Sequence, residues 1–241
     1  MRFSFFSRDP LRGLEKRRRA LLRHGGLGSG ALSALLKFPL PAADRDIREL
    51  PILILDFETS GLDADSDRII SMGWVEMQEG VIALRSARHL LIHSRDDAPS
   101  AAVTLHHIMP EMQRTGWAID AAFEQLWLAL GGKVLLVHGA VIERRFIQSY
   151  LAQRGLPEPP IIWLDTLRIA RNTPQPGAPE YGASCRLSDL RRAYHLPDYP
   201  AHHALVDAIA TGELLLAQRQ RLFGSAASPL AAFIRASRAG R

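Results

Sequence analysis

One cysteine, Cys185, stands in 241 residues. A single thiol excludes an internal disulfide and any cysteine-rich zinc site, and it fits a reducing compartment, so a cytoplasmic location is expected. No run of about 18 apolar residues occurs, so no segment is expected to span a membrane. The opening stretch, residues 1–6, is apolar but short, and the charged Arg8 and Asp9 end it. It lacks the apolar core and small-residue cleavage site of a secretory leader. No internal repeat is visible. Core material is not lacking: 47% of the residues are hydrophobic, which predicts a globular fold.

Charge is unevenly spread. Residues 1–49 hold 11 basic and 5 acidic residues, a net of +6, and residues 214–241 hold 5 arginines and no acid. Residues 50–213 hold 14 basic and 20 acidic residues, a net of −6. An acidic body thus lies between two basic ends. Basic ends attract phosphate backbones, and an acidic patch inside a body suits a cation.

The spacing predicts a helix over 10–24, broken by Gly25, Gly26, Gly28 and Gly30, and a short helix over 31–37 stopped by Pro39 and Pro41. Residues 1–48 read as a basic N-terminal extension, residues 49–220 as the body, and residues 221–241 as a basic C-terminal tail. The body opens with Ile52-Leu53-Ile54-Leu55, a continuous apolar run suited to a strand buried on both faces. Residues 69–77 and 81–92 read as a hairpin around Glu79-Gly80. Further strands are expected at 134–137 and 161–164, with helices at 118–130, 142–151, 166–171, 187–194 and 204–220. Strands clustered early and then alternating with helices predict an α/β fold, a mixed five-stranded sheet flanked by helices.

Three segments carry chemistry. Asp56-Phe57-Glu58 comes directly after the first apolar run, and alternate residues on a strand share a face, so both carboxylates point the same way. Like charges side by side repel unless a cation lies between them, and hard divalent ions prefer oxygen ligands. The second segment, His138 to Phe146, ends a buried strand and opens a helix with Glu143 in its first turn. The third is His202-His203-Ala204-Leu205-Val206-Asp207. Residues five apart on a regular helix are turned about 140° from each other. His202 and Asp207 therefore converge only if His202 sits ahead of the helix and folds back. There its near-neutral pKa suits proton abstraction. His89, His93 and His195 have no acid at ligand spacing and are expected to be structural.

Together the segments resemble the DEDD exonuclease family, the DnaQ-like group that includes the proofreading epsilon subunit of bacterial DNA polymerase III. Asp56–Leu62 (DFETSGL) is similar to the first motif of that family, His138–Phe146 (HGAVIERRF) to the second, and His202–Ala208 (HHALVDA) to the third. A histidine five residues before Asp207 matches the histidine-base branch. The resemblance covers residues 50–220. It implies a ribonuclease H-like fold and two Mg²⁺ or Mn²⁺ ions about 4 Å apart. It implies catalytic and metal-binding roles for Asp56, Glu58, Glu143 and Asp207, with Asp56 bridging both ions and His202 as general base. It also makes Thr59, Leu62, His106 and Phe146 candidates to cradle the terminal nucleotide. The expected activity is 3′→5′ hydrolysis of single-stranded DNA ends to nucleoside 5′-monophosphates, with a DNA polymerase as a candidate protein partner. An RNA exonuclease of the RNase T or oligoribonuclease type uses the same motifs, and a non-catalytic polymerase-associated subunit is the third reading. The sequence departs from the pattern in the second motif, where Glu143 stands for an aspartate and Gly139 for an asparagine.

Overall fold

The computed structural model describes residues 9–25, 27, 30–94, 108–173 and 186–238. In chain order its helices are α1 (Arg12–Arg23), α2 (Ala31–Ala34), α3 (Pro110–Arg114), α4 (Ile119–Leu130), α5 (Val141–Ala152), α6 (Thr166–Asn172), α7 (Leu187–Ala193), α8 (Ala204–Phe223) and α9 (Leu230–Ala236). Its strands are β1 (Ile52–Thr59), β2 (Ile69–Gln78), β3 (Val81–Leu91), β4 (Val134–Val137) and β5 (Trp163–Asp165). No helix among the described residues is long and apolar enough to cross a membrane.

The strands form one mixed sheet in the order β3-β2-β1-β4-β5. β1, β2 and β3 are an antiparallel meander, while β4 and β5 run parallel to β1. β1 is therefore central, and its apolar start is buried on both sides, as its sequence requires. Alternation along β1 sorts its side chains between two apolar clusters. Leu53, Leu55 and Phe57 join Phe123, Leu126 and Trp127 of α4 and Phe146, Ile147 and Leu151 of α5. Ile52 and Ile54 join Ala208 and Leu215 of α8 and Leu230, Phe233 and Ile234 of α9. Asp56 and Glu58 continue this second row, so they emerge on the face that α8 covers.

Residues ahead of β1 feed both clusters: Leu27, Ala31, Leu32 and Leu36 enter the first, and Leu11 and Ile47 the second. α9 arises inside the stretch read from sequence as a basic tail, and its Leu230, Phe233 and Ile234 are buried. The two regions are clasped together. Ile47 donates its N–H to the Ser228 carbonyl (2.9 Å), and Leu230 and Ala231 donate to the carbonyls of Arg45 (2.9 Å) and Ala43 (2.7 Å). Asp46 accepts from the Ser228 hydroxyl (2.9 Å) and backbone N–H (3.1 Å), and Arg48 holds its carboxyl well below the usual range.

α8 lies against β2 at Gly73. A Cβ there would stand 2.1 Å from the Leu205 nitrogen and 2.2 Å from the Ala204 carbonyl carbon. Only a residue without a side chain lets the first turn of α8 approach the sheet this closely. That approach fixes where Asp207 stands.

Candidate active site

β1 delivers the first two acids. Asp56 pairs with Gly73 and Glu58 with Ser71 on β2, and the register shifts immediately after Glu58. Such a bulge ends regular pairing and bends the strand beside the two carboxylates. The turn beyond it is closed by side chains: Thr59 donates its hydroxyl to the Gly61 carbonyl (2.7 Å), and Ser60 donates to Asp67 (2.9 Å). The Asp67 carboxylate fills the space a Gly61 side chain would need, with an oxygen 2.3 Å from the Cβ position. Leu62, 72% exposed, projects from this turn.

α8 delivers the third acid. Its N-cap is His203, and His202 sits one residue earlier at φ +69°, a left-handed conformation. The fold-back expected from the five-residue spacing is made in this way. Asp207 accepts the backbone N–H groups of His202 (2.9 Å) and His203 (3.2 Å), so the acid and the loop hold each other. The His202 side chain is exposed.

Oxygens of Asp56, Glu58 and Asp207 lie within 4.8 Å of one another. Glu143, in the first turn of α5, stands outside that group of three but close enough for its charge to act on Asp56. It is 3% exposed, and its Oε2 is buried with no hydrogen-bond partner among the described residues. Burial, followed by the charges of Glu143, Glu58 and Asp207, raises Asp56 well above the carboxylate range. Burial pushes Glu143 up to about 8, aided by Asp165 and Glu58 and opposed by backbone N–H groups of Glu143 itself and Phe57. Burial and then Glu58 raise Asp207. Three carboxylates raised in this way, one with an orphaned buried oxygen, form with Glu58 an oxygen-only donor set that fits hard divalent cations.

Two residues outside the expected site support it. Asp165, at the end of β5, accepts the N–H groups of Gly139 (2.9 Å) and Ala140 (3.1 Å) and caps α6 through Leu167 N–H (2.9 Å). It thereby fixes the loop that launches α5 and Glu143. Its neighbour Thr166 is 2.8 Å from His138 Nδ1. His89, expected to be structural, lies across Gly73 in the sheet register, with its ring 4.2 Å from that of His203. Burial, with His203 close by, lowers its pKa to about 4 and so keeps it neutral. Nothing near His89 in sequence signals this, because its partner is supplied by a distant helix.

Of the four residues expected to cradle a nucleotide, Thr59 and Leu62 lie on the turn beside Glu58, and His106 falls outside the described residues. Phe146 is 4% exposed and packs in the first apolar cluster. Its ring is part of that core and is not open to a ligand.

A mixed sheet of this order, with carboxylates gathered at the end of its central strand, has the architecture of a ribonuclease H-like nuclease. The exonuclease family model RNase_T matches residues 53–215, and the chain belongs to that family. A Mycobacterium tuberculosis protein whose provisional name is bifunctional exonuclease/endonuclease is 29% identical over 188 residues, 76% of this chain. The PolC-type DNA polymerase III of Thermotoga petrophila is 27% identical over 175 residues, 72% of this chain. The chain spans only 28% and 12% of the length of these two relatives. Among solved structures, exonuclease X in complex with 5′-overhanging duplex DNA aligns with a TM-score of 0.57 at 23% identity, covering 76% of this chain and 99% of that one. Exonuclease I of E. coli with a dA16 oligonucleotide aligns at 0.61 and 19% identity, covering 72% and 41%. These two likenesses bear on the fold.

Proposed function

We propose that this protein is a metal-dependent 3′→5′ exonuclease that removes nucleoside 5′-monophosphates from single-stranded DNA ends. The observation that carries the reading is the convergence of Asp56, Glu58 and Asp207 within 4.8 Å, with His202 held on the loop that Asp207 anchors. Asp56, Glu58 and Asp207 would hold a divalent cation, Mg²⁺ or Mn²⁺, and Asp56 with Glu143 would serve a second. Bound there, divalent cations supply an acidified water and neutralise charge on the leaving oxygen. His202 takes the proton from the attacking water; its exposed imidazole, on the loop beside the carboxylates, suits that task. Asp207 accepts the His202 N–H and so keeps the base on the site's rim. Thr59 and Leu62 are placed to meet the terminal nucleotide, with Leu62 offering an apolar surface to a base.

DNA is favoured because the aligned exonuclease X and exonuclease I structures hold DNA. The matched segment also occurs in proteins named DNA polymerase III, which supports a DNA polymerase as a candidate partner. Glutamate at position 143 reaches one methylene further than aspartate, so a changed preference between Mg²⁺ and Mn²⁺ is expected.

The test is digestion of end-labelled single-stranded DNA, duplex DNA and short RNA, first with Mg²⁺ and then with Mn²⁺. The reading expects a ladder shortened from the 3′ end of single-stranded DNA and released 5′-monophosphates. Hydrolysis of RNA alone moves the assignment to an RNA exonuclease. No hydrolysis above an Asp56→Ala control in any arm overturns the enzymatic reading.

A further inference from the structure

We infer that α1 and the C-terminal segment form one phosphate-binding stripe, which holds the nucleic-acid strand at a distance from the acidic cluster. The inference rests on the nuclease reading for the identity of the strand.

α1 is amphipathic in an unusual sense. Its inward face carries Leu11, Leu14, Arg18 and Leu21, with Leu11 buried and Leu14 and Leu21 packed against the two apolar clusters. Its outward face carries Arg12, Lys16, Arg19 and Arg23, all exposed. These four fall at i, i+4, i+7 and i+11, so they line one side of the helix over about 16 Å. Glu15 is the one acid on the helix, and it pairs with Arg19 (2.8 Å) and Arg18 (3.4 Å). Arg17 pairs with Glu158 (3.8 Å). Arg12, Lys16 and Arg23 have no ion pair among the described residues.

The fold then adds charge from the far end of the chain. Arg238 donates to the Pro10 carbonyl (3.2 Å), just ahead of the first turn of α1. Asn172 fixes that segment by donating to the carbonyls of Ala236 (2.7 Å) and Arg238 (2.8 Å). Arg235 and Arg238 are both exposed, and residues 214–241 contain no acid. Two basic ends far apart in sequence thus become one surface on an otherwise acidic body. A bilayer is a poor fit, because the apolar side of α1 is already used inside the protein and leaves little to insert. A phosphate backbone needs only the charge.

The stripe lies beside β5. Arg17 reaches Glu158 just before that strand, and Ser237 accepts the Asp165 N–H (3.0 Å) at its end. β5 is two strands from β1, about 10 Å, and a packed helix adds about 10 Å more. The stripe therefore stands roughly 20 Å from Asp56, the length of about six stacked nucleotides at about 3.4 Å each. Short strands occupy the acidic cluster without touching it, and longer strands touch both.

The test compares the full-length protein with the triple variant Arg12→Gln, Lys16→Gln, Arg23→Gln, with circular dichroism to verify the fold. Binding of a labelled single strand of about twenty nucleotides is followed by fluorescence anisotropy in EDTA between about 50 and 200 mM salt. Each lost phosphate contact flattens the slope of log K against log salt by about 0.7, so the triple variant should lose about 2. With Mn²⁺, KM should rise for the long strand and stay unchanged for one of about four nucleotides. Equal affinities and slopes overturn the inference, as does an equal loss on both strand lengths. So does a variant that loses binding only to phosphatidylserine vesicles. If the wild-type protein cleaves no strand, the nuclease reading fails while the anisotropy arm still decides the stripe.

Discussion

Adding one methyl group at Gly73 tests whether backbone proximity sets the geometry of the site. A Cβ at that position would stand 2.1 Å from the Leu205 nitrogen, where real Cβ contacts essentially never fall below 3.0 Å. The atoms it meets are backbone of the first turn of α8, so no side chain can swing away. Gly73→Ala must therefore move that turn by about 1 Å, and Asp207 moves with it relative to Asp56 and Glu58. A misplacement of about 1 Å costs on the order of 10²-fold in rate. Forcing a methyl into a packed region also costs about 1–3 kcal/mol, a fall in Tm of about 2–12 °C for a chain of this size. Initial rates on a short single strand in saturating Mn²⁺ measure the first effect, and thermal melting the second. Gly13→Ala is the control: nothing lies within 4 Å of the Cβ it would add, and α1 should gain slightly from the change. Wild-type turnover and Tm in Gly73→Ala would refute the claim that this contact positions Asp207.

Asp56→Ala should abolish turnover and weaken Mn²⁺ binding in calorimetry; an unchanged isotherm with full activity would remove Asp56 from the cation site. His202→Ala should lower the rate by about 10²–10⁴ at neutral pH. His203→Ala keeps the N–H that Asp207 accepts, so it should cost no more than about 1 kcal/mol of capping in a melt and leave most of the rate; a reversed pattern would show that His203 is the base. Because Asp56, Glu143 and Asp207 are raised, the metal-free fold binds more protons than the unfolded chain, and its stability falls as pH rises from the ordinary carboxylate range through about 8. In EDTA, Tm should therefore drop between pH 5 and pH 8. Divalent cation should restore it most at the alkaline end, and Glu143→Gln should flatten the dependence; a Tm independent of pH in EDTA would contradict the carboxylate repulsion.

Most of the site was legible because its signals are local. Asp56 and Glu58 alternate at the end of an apolar run, and that alternation survives in β1, which continues through Thr59. That His202 must stand ahead of the helix and fold back comes from helix geometry alone, since residues five apart cannot converge on a regular helix. The left-handed turn that does it is visible only in the structure. What escaped depends on partners distant in sequence. The contact of His89 with His203 crosses 114 positions, and no period or motif ties a strand histidine to a helix cap that far away. Gly73 looks like any glycine in a strand until α8 is laid against it. Residues before 49 read as an extension because Leu27 stands in a glycine-rich stretch and α2 has one turn, too short for a periodic stripe. α9 is similarly brief, and four arginines in the tail that holds it mask four buried residues. Trp163 opens β5 two positions later than the apolar run suggests, because Pro159 and Pro160 delay regular pairing.

The clasp around Asp46 has a consequence for how the chain comes into being. Ala43, Arg45, Asp46 and Ile47 wait for partners at Ser228, Leu230 and Ala231, 182 positions further on between Asp46 and Ser228. At about 5–20 residues per second, a ribosome takes roughly 10–40 s to cover that interval. Meanwhile the meander, α4 and α5 have emerged, so the cluster around Phe123 can close early. The opposite face of the sheet, with Asp56 and Glu58 on it, stays uncovered until α8 and α9 arrive. Asp207 reaches Asp56 and Glu58 only in that last stage, so the gathering of carboxylates is among the final contacts the chain can make.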